Sequence, residues 1–244
     1  MSKRQEIRAR RQRARVRSRV VMILLVVGGA LLVLSALILP SLNRGDATEA
    51  AVTPAAPRDL GSRIDGTSLG DPNAPVRVDV WEDFQCPSCK IFSEGTEQQL
   101  IDQYVTSGQV YYTYHFFAFI DGRVAGGESQ QSANAAMCAL EQGKFWEYHD
   151  TLFANWDGEN QGGFADARLI AFAEHLALDM EAFTACFEEN RYKNEIDQDY
   201  LAGQAAGVQG TPSVFVNGTL VTPGYVPSFA DLSQAIETAL AGGQ

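Results

Sequence analysis

The chain has 244 residues, enough for one sizeable domain plus extra segments, and a formal net charge of −11. The acidic balance argues against nucleic acid or an anionic membrane surface as the main partner of the bulk of the chain. The charge is uneven: residues 1–19 carry nine Lys/Arg against the single acid Glu6, which leaves ten basic and twenty-nine acidic residues for the other 225.

Val20 to Leu39 follows the basic head as twenty residues without a charge. At about 1.5 Å per residue it spans roughly 30 Å, the hydrocarbon thickness of a bilayer. A cleavable signal peptide is the competing reading, but its apolar region is usually about 7–15 residues and ends in a small-residue site. Leu37-Ile38-Leu39-Pro40 fits such a site poorly, and an uncleaved anchor is expected. The positive-inside rule then keeps residues 1–19 cytoplasmic and places everything after Pro40 outside the cell membrane. A nucleic-acid arm would also be basic, but topology and attraction to anionic lipid account for this head more simply. Residues 40–64, rich in Ala, Pro, Thr, Asp and Arg without an apolar period, read as a flexible linker.

The folded domain is expected over 65–244. Asp65 to Pro75 is turn-rich, and Val76 to Glu82 alternates as a strand. A helix is expected from Pro87 to Val105, with Pro87 in its first turn, and a second strand from Val110 to Phe117. A helical block fills about 125–206, with segments near 129–141, 144–154, 166–176, 180–188 and 192–206. Gly207 to Pro212 breaks that pattern. Ser213–Val216 and Thr219–Val221 then form a hairpin across Asn217-Gly218, and residues 228–240 form a last helix. The pattern describes an α/β sheet with a helical insertion.

The chemistry sits in Trp81-Glu82-Asp83-Phe84-Gln85-Cys86-Pro87-Ser88-Cys89-Lys90, where strand gives way to helix. A thiol reacts as its thiolate, and Cys86 at a helix N-terminus would have its negative charge favoured by the dipole and free N–H groups. Cys89, one turn further in, would resolve or close a disulfide with Cys86 through a mixed disulfide. A static bridge and half of a zinc site are the competing readings of a lone CxxC. Zinc is disfavoured because Cys138 and Cys186 lie far apart in sequence. All four cysteines fall on the expected outer side, where disulfides persist. Thr211-Pro212, after a glycine-rich break and before a strand, is a candidate cis peptide facing the cysteines. An ordinary trans proline opening a strand is the alternative. A cis proline would expose the Thr211 backbone to an extended substrate strand.

With these residues in view, the chain resembles the DsbA-like thiol-disulfide oxidoreductases of the thioredoxin superfamily. The likeness rests on residues 71–76, 82–89, 141–150 and 207–218, spread over about 65–241. It implies a thioredoxin fold with a helical insertion, Cys86 as nucleophile, Cys89 as resolving cysteine, Pro87 and Ser88 as the dipeptide between them, and Pro212 as a cis proline beside Thr211. Many relatives carry a buried acid six residues before the first cysteine. Here that position is Val80, while Glu82 lies two residues on and so on the same strand face. Glu82 is therefore expected to take that role with a raised pKa, a solvated strand-end glutamate being the alternative. Asp83 is a weaker candidate. Some membrane-tethered relatives share a second cysteine pair, so Cys138–Cys186 is expected as a structural bridge, with two free thiols as the alternative. The resemblance implies reduced exported proteins as substrates and a membrane quinone-linked reoxidant of DsbB or VKOR-like type as partner; no cofactor is expected, and charge and spacing give no sign of nucleic acid or metal.

His115, His149 and His175 show no metal spacing; His149 and His115 read as packed among aromatics. The reading is a membrane-tethered extracytoplasmic oxidant. A reductase or isomerase on the same fold, and a non-enzymatic interaction scaffold, are the rivals.

Overall fold

Two period-two runs form the centre of the sheet. β3 (Val76–Glu82) encloses Val76, Val78 and Val80 completely, and β4 (Val110–Phe116) buries Val110, Tyr112, Tyr114 and Phe116 while the residues between them stay half-buried. Alternation of this kind is what a pleated strand with one well-covered face requires. The computed structural model describes residues 51–58, 60, 63–124 and 126–242, and the expected membrane segment at 20–39 lies outside them. Among the described residues no helix is long and apolar enough to cross a membrane.

β3 and β4 run parallel, with Val76 opposite Val110 and Glu82 opposite Phe116. A parallel pair needs a crossover, and helix α1 supplies it over residues 87–105. It begins as Pro87–Phe92, takes π-type pairing over Ser93–Glu97, returns through Gln98–Leu100 and ends in a second π-type stretch, Ile101–Val105. After β4 come five helices: α2 (Glu128–Leu140), α3 (Phe145–Ala154), α4 (Asp166–His175), α5 (Met180–Glu188) and α6 (Lys193–Ala206). The chain then re-enters the sheet as β5 (Ser213–Val216), antiparallel to β3, with Trp81 opposite Ser213. β6 (Thr219–Leu220) and α7 (Phe229–Gly242) complete the domain. Asn217 and Gly218 both have positive φ, as a two-residue hairpin turn demands.

Two short strands were not legible. β1 (Ile64–Asp65) and β2 (Ser68–Leu69) extend the sheet in the order β1-β2-β4-β3-β5-β6. Two residues are too few to show a period, so this stretch reads only as turns. Gly70, just after β2, has φ +106°, and a Cβ there would lie 2.5 Å from the Val110 carbonyl oxygen. Only glycine fits that approach.

The expected linker over 40–64 does not extend to its C-terminal end. Asn155, at the C-cap of α3, grips Thr53 in both directions: the Thr53 N–H donates to Asn155 Oδ1 at 2.8 Å, and Asn155 Nδ2 donates to the Thr53 carbonyl at 2.9 Å. Arg58 inserts its side chain between α1 and α3. A Pro/Ala-rich sequence has no apolar period, but backbone groups and one arginine suffice to seat it.

The second sheet face carries a smaller core of Trp81, Phe117, Val208 and Phe215. Gly203 lets α6 approach it closely; a Cβ there would meet the Trp81 ring at 2.7 Å and the Phe117 ring at 2.8 Å. In the insertion, a disulfide joins Cys138 of α2 to Cys186 of α5.

Candidate active site

The parallel pairing of β3 with β4 and the antiparallel pairing of β3 with β5 converge at the C-terminal end of β3. That end carries Glu82, and the turn after it carries Cys86. Asp83 builds the turn. Its carboxylate accepts the Gln85 N–H at 2.9 Å and the Phe119 and Ile120 N–H groups at 2.8 and 3.0 Å, so the loop after β4 is stapled to the turn before the cysteines. Burial raises the Asp83 pKa against those hydrogen bonds. The Cys86 N–H donates to the Asp83 carbonyl at 2.9 Å, and Trp156 Nε1 donates to the Gln85 carbonyl at 2.7 Å. Asp83 is thus a builder of the turn rather than a proton donor to it.

Cys86 is the N-cap of α1 and has Pro87 behind it in the first turn, where a missing N–H removes no helical hydrogen bond. Both thiols are unpaired. Cys86 Sγ lies 3.3 Å from the Thr211 carbonyl oxygen, and the Thr211–Pro212 bond is cis. The Cys86 pKa is lowered to about 6. The Cys89 thiol donating to the thiolate is the main cause; burial opposes it, and the Thr211 side chain and the N–H groups of Cys89 and Ser88 add to it. Cys89 is fully enclosed, and burial pushes its pKa well above that of an ordinary cysteine. The two thiols are therefore split in opposite directions, one ionised near neutrality and one held neutral.

Glu82 is 1% exposed, and neither carboxylate oxygen has a hydrogen-bond partner among the described residues. Burial raises its pKa well above the usual carboxylate range, with the negative charges of Glu97 and Cys86 adding and the Arg58 charge opposing. The solvated alternative considered for Glu82 is excluded by this enclosure. Ser88, Gln209, Thr211, Pro212, Tyr225 and Val226 line a cavity of about 550 Å³ beside the cysteines. Its wall combines backbone edge with an exposed aromatic, which suits an extended peptide.

The structure brings Cys86, Pro87, Ser88, Cys89, Thr211, Pro212 and Glu82 to one end of the sheet. It keeps Cys138 and Cys186 in the insertion. Among the described residues no group of three or more His, Cys, Asp or Glu is arranged to hold a metal ion. His149 is enclosed among Phe84, Tyr114, Trp146 and Phe153, but it also bonds Asp150 through Nδ1 at 2.8 Å. His115 stacks on Trp81 and sits between two carboxylates, Asp199 and Asp79 at 2.8 and 3.3 Å, so it is a partnered charge as well as a packed ring.

Sequence reasoning missed Glu97, which is fully enclosed behind the site. Cys89, Ser93 and Glu97 recur every four residues, which puts a serine and a carboxylate on the same inward stripe of α1 as the second cysteine. That spacing was the available signal.

A family model described as thioredoxin matches residues 62–238. The chain belongs to the thioredoxin family. Relatives bearing the name disulfide bond formation protein D include a probable one from Bacillus cereus, 29% identical over 71% of this chain and 78% of that protein. The Bacillus subtilis protein of that name is 24% identical over 70% and 73%. The Na(+)/H(+) antiporter NhaA 3 of Salinispora tropica is 34% identical over 72% of this chain, which spans only 25% of that antiporter. Oxidised BdbD from Bacillus subtilis superposes with a TM-score of 0.65 at 21% identity, covering 79% of this chain and all of that one. Chlamydia trachomatis DsbA superposes at 0.61 and 20% identity, covering 76% and 98%. Within the thioredoxin family the chain is a thiol-disulfide oxidoreductase.

Proposed function

We propose that this oxidoreductase is a membrane-tethered, extracytoplasmic oxidant that gives its Cys86–Cys89 disulfide to reduced exported proteins. The observation that supports the direction is the split of the two thiols: Cys86 lowered to about 6 and Cys89 raised. An ionised Cys86 near neutral pH stabilises the dithiol form and makes Cys86 a good leaving group, both of which favour giving the disulfide away.

In the proposed reaction a substrate thiolate attacks Cys86 Sγ. The Cys86–Cys89 bond breaks, Cys89 leaves with the electron pair, and Glu82 supplies its proton. The substrate's second thiolate then attacks its own sulfur in the mixed disulfide and expels Cys86 as a thiolate. The substrate dithiol loses two electrons and two protons. The enzyme gains the electrons and keeps one proton on Cys89, and solvent takes the other. A membrane quinone-linked oxidase of the DsbB or VKOR-like class would accept the two electrons afterwards; this partner is carried by the family resemblance. The anchor at 20–39 and the outer location of 65–244 are part of the same proposal and rest on the charge pattern of the sequence.

Refolding of a reduced, disulfide-dependent client protein tests this. The full chain should restore client activity, and Cys86→Ser should abolish that. Restoration undiminished in Cys86→Ser would refute the reading, and a strongly negative redox potential would favour the reductase.

A further inference from the structure

Arg58 lies before the family-matched region, 62–238, yet its side chain reaches the interior behind the active site. Its guanidinium makes a two-point pair with Asp150 and donates from Nη1 to Glu97 Oε2 at 3.1 Å. Glu97 is fully enclosed; Ser93 Oγ donates to Oε2 at 3.0 Å and the Tyr112 hydroxyl to Oε1 at 2.6 Å. Among the described residues Arg58, from the docked 51–58 segment, is the permanent cation on Glu97; His149 Nε2 also lies 3.9 Å from Glu97 Oε1. Glu82, whose two oxygens have no hydrogen-bond partner among the described residues, feels both charges: that of Glu97 raises its pKa and that of Arg58 opposes the rise.

We propose that Arg58 is a positioning residue for disulfide exchange: by neutralising Glu97 from the docked N-terminal segment, it keeps Glu82 able to exchange a proton with Cys89. The inference rests on the oxidoreductase reading above and adds a residue from outside the family-matched domain to its proton chemistry.

The sign follows from the charges around Glu82. Glu97, Cys86 and Cys89 come from α1, Tyr112 and Tyr114 from β4, and His149 and Asp150 from α3; Arg58 is the cation from the segment. A negative charge near an enclosed carboxyl disfavours its ionised form, and a cation beside that charge relieves the effect. Removing Arg58 takes the permanent cation from Glu97, leaving His149 at 3.9 Å and the Ser93 and Tyr112 hydroxyls, and so holds Glu82 protonated to higher pH. Attack of Cys89 on a mixed disulfide at Cys86 needs Glu82 to take the Cys89 proton, so that step should slow at neutral pH and its midpoint should rise.

The test uses the full chain carrying glutathione on Cys86. Release of glutathione is the Cys89-dependent step: the Cys89 proton passes to Glu82, Cys89 attacks Cys86, the new disulfide forms and glutathione leaves as thiolate. Arg58→Gln should slow release at pH 7 by about tenfold, equivalent to about one pH unit in the profile. Arg58→Lys should restore most of the rate. Glu97→Gln should move the midpoint down, and the double variant Arg58→Gln/Glu97→Gln should return it toward the parent profile. Parent and Arg58→Gln profiles that superpose would overturn the inference, and so would a Glu97→Gln shift in the same direction as that of Arg58→Gln. If Arg58→Gln fails to fold, Arg58→Lys against Glu97→Gln decides the sign. Parent protein that releases no glutathione at any pH would refute the exchange reading itself, a result distinct from a parent profile that the variants leave unmoved.

Discussion

Cys86 Sγ and the Thr211 carbonyl oxygen are 3.3 Å apart although 125 residues separate them in the chain. The pairing of β3 with β5 makes this contact, because it sets Trp81 opposite Ser213 and so carries Pro212 to the level of the cysteine turn. One strand register therefore joins Cys86, the proposed nucleophile, to the backbone edge proposed to meet a substrate.

Cys89 should control the acidity of Cys86. Its thiol is the leading stabiliser of the Cys86 thiolate, ahead of Thr211 and the helix N–H groups. In Cys89→Ala that donor is gone, and the midpoint for Cys86 alkylation should move up from about 6 toward the ordinary thiol value. The rate near pH 6 should fall several-fold. Alkylation kinetics across pH measure it.

Glu82→Gln should separate activity from stability. Without a carboxylate to carry the proton of Cys89, exchange at neutral pH should slow by about tenfold or more. Stability should rise. The folded Glu82 pKa lies above its unfolded value of 4.5, so the stability contributed by the protonated form is complete below about 4.5 and is lost as pH climbs. The gain from the neutral amide should therefore grow with pH above 4.5. Denaturant titrations at several pH values check this.

Removing the insertion bridge should destabilise without touching the site. The Cys138–Cys186 disulfide has a sequence separation of 48. On the chain-entropy account, closing such a loop contributes about 4 kcal/mol. Cys138→Ala/Cys186→Ala should lose stability on that scale while Cys86 alkylates at the parent rate. Urea unfolding alongside alkylation kinetics separates the two readouts.

Asp199 should hold the far side of the sheet in a pH-dependent way. It accepts the Phe116 N–H at 2.6 Å and bonds His115 Nδ1 at 2.8 Å. Burial opposes charging of His115, but its bonds to Asp199 and Asp79 outweigh that and raise its pKa to about 9. A raised histidine stabilises fully below its unfolded value of about 6.5, and the contribution fades as pH rises through 9. Asp199→Asn should cost about 1–3 kcal/mol near pH 6 and less by pH 10, as thermal melts would show.

The reactive pair was legible in sequence because its signals are local. A period-two strand, a turn, and CxxC with a proline in the first helical turn define both cysteines without any distant contact. Most helices of the insertion were legible for the same reason, to within a residue or two at their ends. The buried charges were not. Arg58 sits in a Pro/Ala-rich stretch whose composition gives no hint of docking, and its partners Glu97 and Asp150 lie 39 and 92 residues away. Enclosure of Glu82 is only one of two alternatives in the sequence, because strand parity fixes the face but not the cover.

The proposed exchange chemistry depends above all on a Cys86 thiolate stabilised by a neutral Cys89. Titration of the reduced full chain, followed by thiolate ultraviolet absorbance with Cys86→Ser as the subtraction, measures this directly. A single thiolate should form with a midpoint at about 6, and no second one until strongly alkaline pH. A first midpoint at 8.5 to 9, the range of an unperturbed cysteine, would contradict it.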